Sequence, residues 1–166
     1  DWIFGHVAYD LKNKIESLSS ENPDEIDFPD FHFFVPEIVF ILSKSKVQIG
    51  VFPGQVVDPI FDEIISLVPV EQKTSSIFLD KRFSKREYLE TIKKLQQHIL
   101  RGDCYEICFC QELYAENIQV DPVKVFKKLS ALSPNPFSSF YRTGKKYLMC
   151  ASPERFLKKT NNTIIS

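Results

Sequence analysis

The chain reads as an α+β protein with mixed, largely antiparallel sheets and flanking helices. Three observations predict this class. Short β-rich runs alternate with turn residues at both ends of the chain. Three segments in between carry helix start signals, two of them with an apolar stripe. Strands and helices mixed this way, with hairpins and no regular β-α alternation, favour α+β over a parallel α/β sheet.

The elements follow in order. Trp2 to Ala8 reads as a strand. Glu21 to Phe31 carries Pro23, Pro29 and five acidic residues and reads as an exposed loop. Val35 to Leu42 and Val47 to Phe52 are β-rich runs around Ser43-Lys44-Ser45-Lys46, which predicts a hairpin. Asp58 then Pro59 supplies an N-cap and a first-turn proline for a helix through Leu67. The clearest helix begins at Ser84-Lys85-Arg86-Glu87, a capping box in which serine and glutamate satisfy each other's free amides. Tyr88, Ile92, Leu95 and Ile99 form one apolar stripe along it, and Gly102 suits its stop. After Gly102 the chain reads as a strand. Cys104, Glu106, Cys108 and Cys110 would then share one face, and Tyr105, Ile107, Phe109 and Gln111 the other. Asp121-Pro122 starts another helix with Phe126, Leu129 and Leu132 facing inward. From Ser138 the pattern is β: a turn near Thr143-Gly144, a strand from Lys146 to Ala151, and a further pair around Asn161-Asn162.

Composition narrows the function. At 166 residues, 43% hydrophobic and 13% aromatic, the chain could bury one good core. It starts at Asp1 and stops on the apolar run Ile164-Ile165-Ser166, which reads as an internal segment, 1–166, of a single larger domain with an exposed strand edge. With 21 basic and 22 acidic residues the net charge is -1, so nothing draws it to nucleic acid or to an anionic membrane. Lys81, Arg82, Lys85 and Arg86 read as the solvated start of a helix. No apolar run approaches the roughly 20 residues of a membrane span. Cys104, Cys108 and Cys110 crowd one segment, with Cys150 apart, and that spacing is not a zinc Cys-x-x-Cys pair. Reduced, buried thiols in a cytoplasmic protein are the expectation.

Three ordered segments carry a family resemblance: Ile99-Leu100-Arg101-Gly102-Asp103-Cys104-Tyr105-Glu106 running on to Gln111, then Ser133-Pro134-Asn135-Pro136-Phe137-Ser138-Ser139-Phe140, then Ser152-Pro153-Glu154-Arg155-Phe156. The opening Trp2-Ile3-Phe4-Gly5-His6-Val7-Ala8-Tyr9-Asp10-Leu11 fits the same pattern, whereas residues 12 to 98 carry no motif. Together these resemble the chorismate-utilising enzymes, most closely the group formed by component I of aminodeoxychorismate synthase.

The resemblance implies the chorismate-binding enzyme fold and amination of chorismate to 4-amino-4-deoxychorismate, the folate (para-aminobenzoate) branch. It also implies ammonia from a glutamine amidotransferase partner, and magnesium whose ligands lie beyond residue 166. Anthranilate synthase component I is the alternative enzyme, because the Pro-Ile-Lys-Gly-Thr motif that separates the two is expected past Ser166. A non-catalytic module with a tryptophan-like pocket is the alternative from another class.

Residue by residue, Glu154 matches the glutamate that acts as proton donor in the family. Departure of the 4-hydroxyl needs such a donor, because hydroxide leaves poorly, and burial beside Phe156 would keep the proton available. Outside the resemblance, Glu154 would be a surface residue paired with a neighbour such as Arg155. Glu106 stands where the water-using relatives carry lysine and the aminating ones usually glutamine, and Gln111 where the water-using ones carry arginine. Glu106 therefore lines the substrate cleft, sits in water at a sheet end, or pairs with a Lys or Arg. Pro136, Phe137 and Ser138 match the border of a tryptophan pocket, and equally suit a proline-flanked entry to a strand.

Overall fold

The computed structural model describes residues 2–68 and 76–166. Two compact units divide it: Asp1–Val70 with Ser139–Met149, and Glu71–Ser138 with Cys150–Ser166. Mixed helices and two-stranded sheets fit the α+β expectation.

In the first unit, β1 (Phe4–Val7) pairs antiparallel with β2 (Phe31–Phe34), placing His6 opposite His32. A Cβ on Gly5 would run into the His32 carbonyl and the Phe33 ring, so glycine permits this close approach. After β1 come a 3-10 turn (Tyr9–Leu11) and α1 (Lys12–Ile15), neither of which the sequence patterns revealed. The acidic loop is exposed as expected. Its tip is held by the Asp24 carboxylate, which accepts from the amides of Asp27 and Ile26 and is thereby held below the usual carboxylate range. Lys146 ties the loop down through the Asp27 carbonyl and carboxylate.

β3 (Ile38–Leu42) and β4 (Val47–Val51) form the predicted hairpin, with Leu42 opposite Val47. The Ser43 hydroxyl donates to the Lys46 carbonyl at 3.0 Å and closes the turn. α2 (Asp58–Ser66) corrects the reading of its start. Val57 occupies the N-cap without a side-chain bond, and Asp58 and Pro59 lie inside the first turn. There Asp58 acts through the helix dipole instead of as a cap.

In the second unit, α3 (Lys85–Arg101) has both halves of its capping box: Glu87 N–H to Ser84 Oγ at 3.3 Å, and Ser84 N–H to Glu87 Oε2 at 2.8 Å. Gly102 ends it at φ 88°, a left-handed conformation that glycine adopts without a Cβ clash. Tyr88, Ile92 and Leu95 are half-buried along the expected stripe, whereas Ile99 is exposed. α4 (Pro122–Leu132) is capped by Asp121, whose carboxylate accepts from Lys124 N–H at 3.1 Å. Phe126 and Leu129 are half-buried, but Leu132, at the last turn, is 87% exposed, contrary to expectation.

The strand read after Gly102 shrinks to two residues. β6 (Leu113–Tyr114) pairs with β5 (Asp80–Lys81), while residues 104 to 112 find no partner strand among the described residues. Extended backbone without a neighbour leaves its amides to water, so no ladder forms.

β7 (Phe137–Thr143) and β8 (Lys146–Ser152) form a further sheet around Gly144, at φ 58°. β9 (Lys158–Thr160) and β10 (Thr163–Ile165) close the chain through Asn161, also left-handed at φ 54°. Ile164 and Ile165 are exposed, as expected for an edge.

No described side chain is fully buried, and large apolar residues such as Phe33, Phe40, Ile41 and Phe78 face solvent. The cysteines are free, but Cys108 and Cys110 are exposed and Cys104 and Cys150 half-buried, which corrects the expectation of buried thiols.

Candidate functional site

Asn135, between two prolines, organises the candidate site. Its side-chain amide donates to Ser133 Oγ at 2.7 Å, Ser133 O at 3.3 Å and Ala151 O at 3.1 Å. Its own carbonyl accepts from the Ser138 hydroxyl at 2.9 Å. A proline on either side restricts the backbone and removes an amide donor, so the side chain supplies the bonds that the main chain cannot. The Cys150 thiol adds a contact to the Phe137 carbonyl at 3.7 Å. These bonds tie the start of β7 to the end of β8.

Two of the three sequence segments therefore meet. Ser133–Phe140 lies against Ala151, one residue before Ser152-Pro153-Glu154-Arg155-Phe156. The Arg155 guanidinium rests 4.8 Å above the Phe137 ring, a cation–π contact across the two. Ser152 folds its hydroxyl onto the turn, donating to the Glu154 carbonyl at 3.1 Å and accepting from the Glu154 amide at 3.4 Å.

Glu154 is exposed, and its carboxylate has no ion-pair partner among the described residues. Arg155 turns to Phe137 instead, so the ordinary salt bridge weighed from sequence does not form. Phe156 is 87% exposed and does not shield Glu154 within this chain. The carboxyl is thus presented on a hydrogen-bonded turn, free of internal partners. Pro136 is exposed, whereas Phe137 and Ser138 are half-buried, Phe137 under Arg155 and Ser138 bonded to Asn135. Their contacts agree with a proline-flanked strand entry.

The first segment is held separately. Gln111 donates from Nε2 to the Phe83 carbonyl at 2.9 Å, and its Oε1 is buried without a partner among the described residues. Arg82 pairs with Glu112 at 2.6 Å and lies 4.0 Å over the Tyr114 ring. Glu106 is exposed, with no hydrogen bond among the described residues, in the unpaired stretch. Nothing brings it to Glu154. At the end of α3, Asp103 receives Arg101 and His98, the latter at 2.7 Å. These bonds, Arg101 first, hold the Asp103 carboxyl below its usual range.

Asn135 escaped the sequence reading, though an Asn between prolines before a β run is a turn signal with a mechanism. An open groove of about 240 Å³ lies elsewhere, on the face of the β3–β4 hairpin, lined by Trp2, Val39, Ile41, Val51 and Phe52. It contains none of the candidate residues. No three His, Cys, Asp or Glu side chains among the described residues converge to hold a cation. No helix among the described residues is long and apolar enough to cross a membrane.

The Ser-Pro-Glu-Arg turn thus meets the proline-flanked β entry through the Arg155–Phe137 contact, in a chain of α+β class. The sequence profile of the chorismate binding enzymes matches residues 1–166, and the chain belongs to that family. It is 27% identical over 177 aligned residues to anthranilate synthase component 1 of Thermus thermophilus, covering 99% of this chain and 38% of that protein. To aminodeoxychorismate synthase component 1 of Escherichia coli it is 25% identical over 162 residues, covering 96% and 36%. The crystal structure of anthranilate synthase component I from Streptococcus pneumoniae shares the fold, with a TM-score of 0.79 at 21% identity over 98% of this chain and 40% of that one. The chain thus spans well under half the length of the relatives it matches.

Proposed function

We propose that this chain is part of an aminating chorismate enzyme that makes 4-amino-4-deoxychorismate, with Glu154 as the proton donor. The observation that carries the reading is the Ser152–Glu154 turn, which follows directly on Ala151, the residue held by Asn135, and presents a carboxyl without an ion-pair partner among the described residues. Ammonia, delivered by a glutamine amidotransferase partner, supplies the nitrogen. A C–N bond forms at C4 as the C4–O bond breaks. The carboxyl proton leaves with the hydroxyl as water, and the new amine returns a proton to the carboxylate. Magnesium would neutralise a substrate carboxylate. Glu106, exposed and without an ion pair among the described residues, suits polar lining rather than activation of water.

Anthranilate synthesis is the second reading, favoured by the 27% identity across 99% of the chain to the Thermus protein. It differs in the position aminated and in the loss of pyruvate. The test is ammonia-dependent turnover of the intact protein, with products separated by chromatography. A non-aromatic aminated product supports the first reading, and fluorescent anthranilate the second. Glu154→Gln keeps the shape and removes the proton, so turnover should fall by at least about 10² with the fold intact. Near-normal turnover of that variant would sink the role of Glu154 under either reading.

A further inference from the structure

Within the first unit, two histidines face each other in the β1–β2 ribbon, and the proposed amination uses neither. His6 and His32 are direct cross-strand partners, with ring centroids 6.1 Å apart and planes tilted by 39°. Gly5 makes the close approach possible, because any Cβ there would strike the His32 carbonyl.

The protonation of His6 follows from its bonds. Nε2 lies 2.7 Å from the Pro29 carbonyl, which can only accept, so Nε2 carries the hydrogen. In the neutral ring Nδ1 then holds a free lone pair, and the Tyr141 hydroxyl meets it at 3.2 Å, a long O–H···N bond. A ring whose far N–H is bonded to a backbone carbonyl is oriented as metal-binding histidines usually are. His32 has no hydrogen bond among the described residues; its ring lies beside those of His6 and Phe34. Phe28 stands edge-on to His6 at 5.6 Å and limits water on that side, and both histidines are half-buried.

We infer that His6 Nδ1 and His32, with the Tyr141 phenol beside His6, form a site for a zinc-like divalent transition metal. The spacing is within reach. A metal–nitrogen distance of about 2.1 Å plus the ~1.1 Å ring radius places each centroid about 3.2 Å from the ion, so two rings on a tetrahedral ion lie about 5.2 Å apart, and the 6.1 Å pair would close by about 1 Å on binding. Two imidazoles and a phenol suit zinc, nickel or copper rather than magnesium, which prefers an all-oxygen shell. The ion would replace the weak Tyr141–His6 bond, with water completing the shell, and would staple β1 to β2 beside β7.

The experiment is calorimetric titration of the tag-free intact protein with zinc chloride, with magnesium present in excess. One micromolar site is expected, with heat falling as the pH is lowered and protons compete for the ring nitrogens. His32→Gln should weaken zinc binding by at least about tenfold, and Tyr141→Phe severalfold. The double variant His6→Gln/His32→Gln should abolish it. Melting of each variant without metal establishes that it is folded, and the Tyr141→Phe variant keeps the test decisive if a histidine variant is not. Absence of binding by the unaltered protein, competition by magnesium, or binding that survives in the double variant (zinc held by the cysteines) would overturn the site.

Discussion

Asn135→Asp is the most informative substitution at the candidate site, because it changes one nitrogen to oxygen and leaves the shape. The native amide donates to Ser133 Oγ at 2.7 Å and Ala151 O at 3.1 Å, with Ser133 O sharing one of its hydrogens. An ionised carboxylate donates nothing. Two bonds at roughly 0.5–1.5 kcal/mol each are lost, about 1–3 kcal/mol together, and the oxygen anion set against the Ala151 carbonyl adds to that loss. The loss falls one residue before Ser152, so the Glu154 turn loosens. Displacement of a catalytic group by about 1 Å can cost on the order of 10² in rate, and turnover should fall by about 10- to 100-fold. The assay pairs ammonia-dependent turnover with amide hydrogen exchange across residues 150–156, where protection should drop. Turnover within twofold of wild type, with unchanged exchange, would show that Asn135 does not hold the turn.

Two further outcomes follow. Ser84→Ala removes the cap of α3 and should lower the melting temperature by about 2–4 °C. The same cap sets a pH dependence: bonds from the Ser84 hydroxyl and backbone amide lower the Glu87 carboxyl from its ordinary value, so its contribution is present above the unfolded pKa, about 4.3, and is lost as pH falls through the lowered folded value. The gap between the acid unfolding curves of wild type and Ser84→Ala should narrow below that window, leaving only the loss of the Glu87 amide bond to Ser84 Oγ, and curves that stay parallel would contradict the coupling. For Glu106, replacement by Gln should keep amination within roughly tenfold, because reach and hydrogen bonding are retained, whereas Lys should do more harm by setting a cation where neutral ammonia arrives. A Gln variant without amination would make Glu106 a base or charge partner.

What the sequence made legible is local. The α3 capping box, the Gly102 stop, the Ser43–Lys46 hairpin and the Asn161 turn are each specified by side chains within a few residues, and all formed where expected. Readings that needed a distant partner fared differently. The strand after Gly102 has the right alternation but no neighbour to pair with, so only Leu113–Tyr114 joins a ladder. Asp58 carries the right chemistry for a cap, yet the helix begins one residue earlier than that role allows.

The same division runs through the site. That Ser133–Phe140 and Ser152–Phe156 belong together was legible only as a family pattern. The physical link is a side-chain amide reaching a carbonyl 16 residues on, which no local propensity encodes. Burial is less legible still, because it depends on what packs against a face. Ile38-Val39-Phe40-Ile41-Leu42 is a continuous apolar run, the pattern of a strand covered on both sides, yet Phe40 and Ile41 are exposed here. A catalytic acid needs such cover to keep its proton near neutrality, and Glu154 receives none from Phe156. If Glu154 is the donor, the group that desolvates it must come from outside its own turn, either from another part of the protein or from the substrate itself.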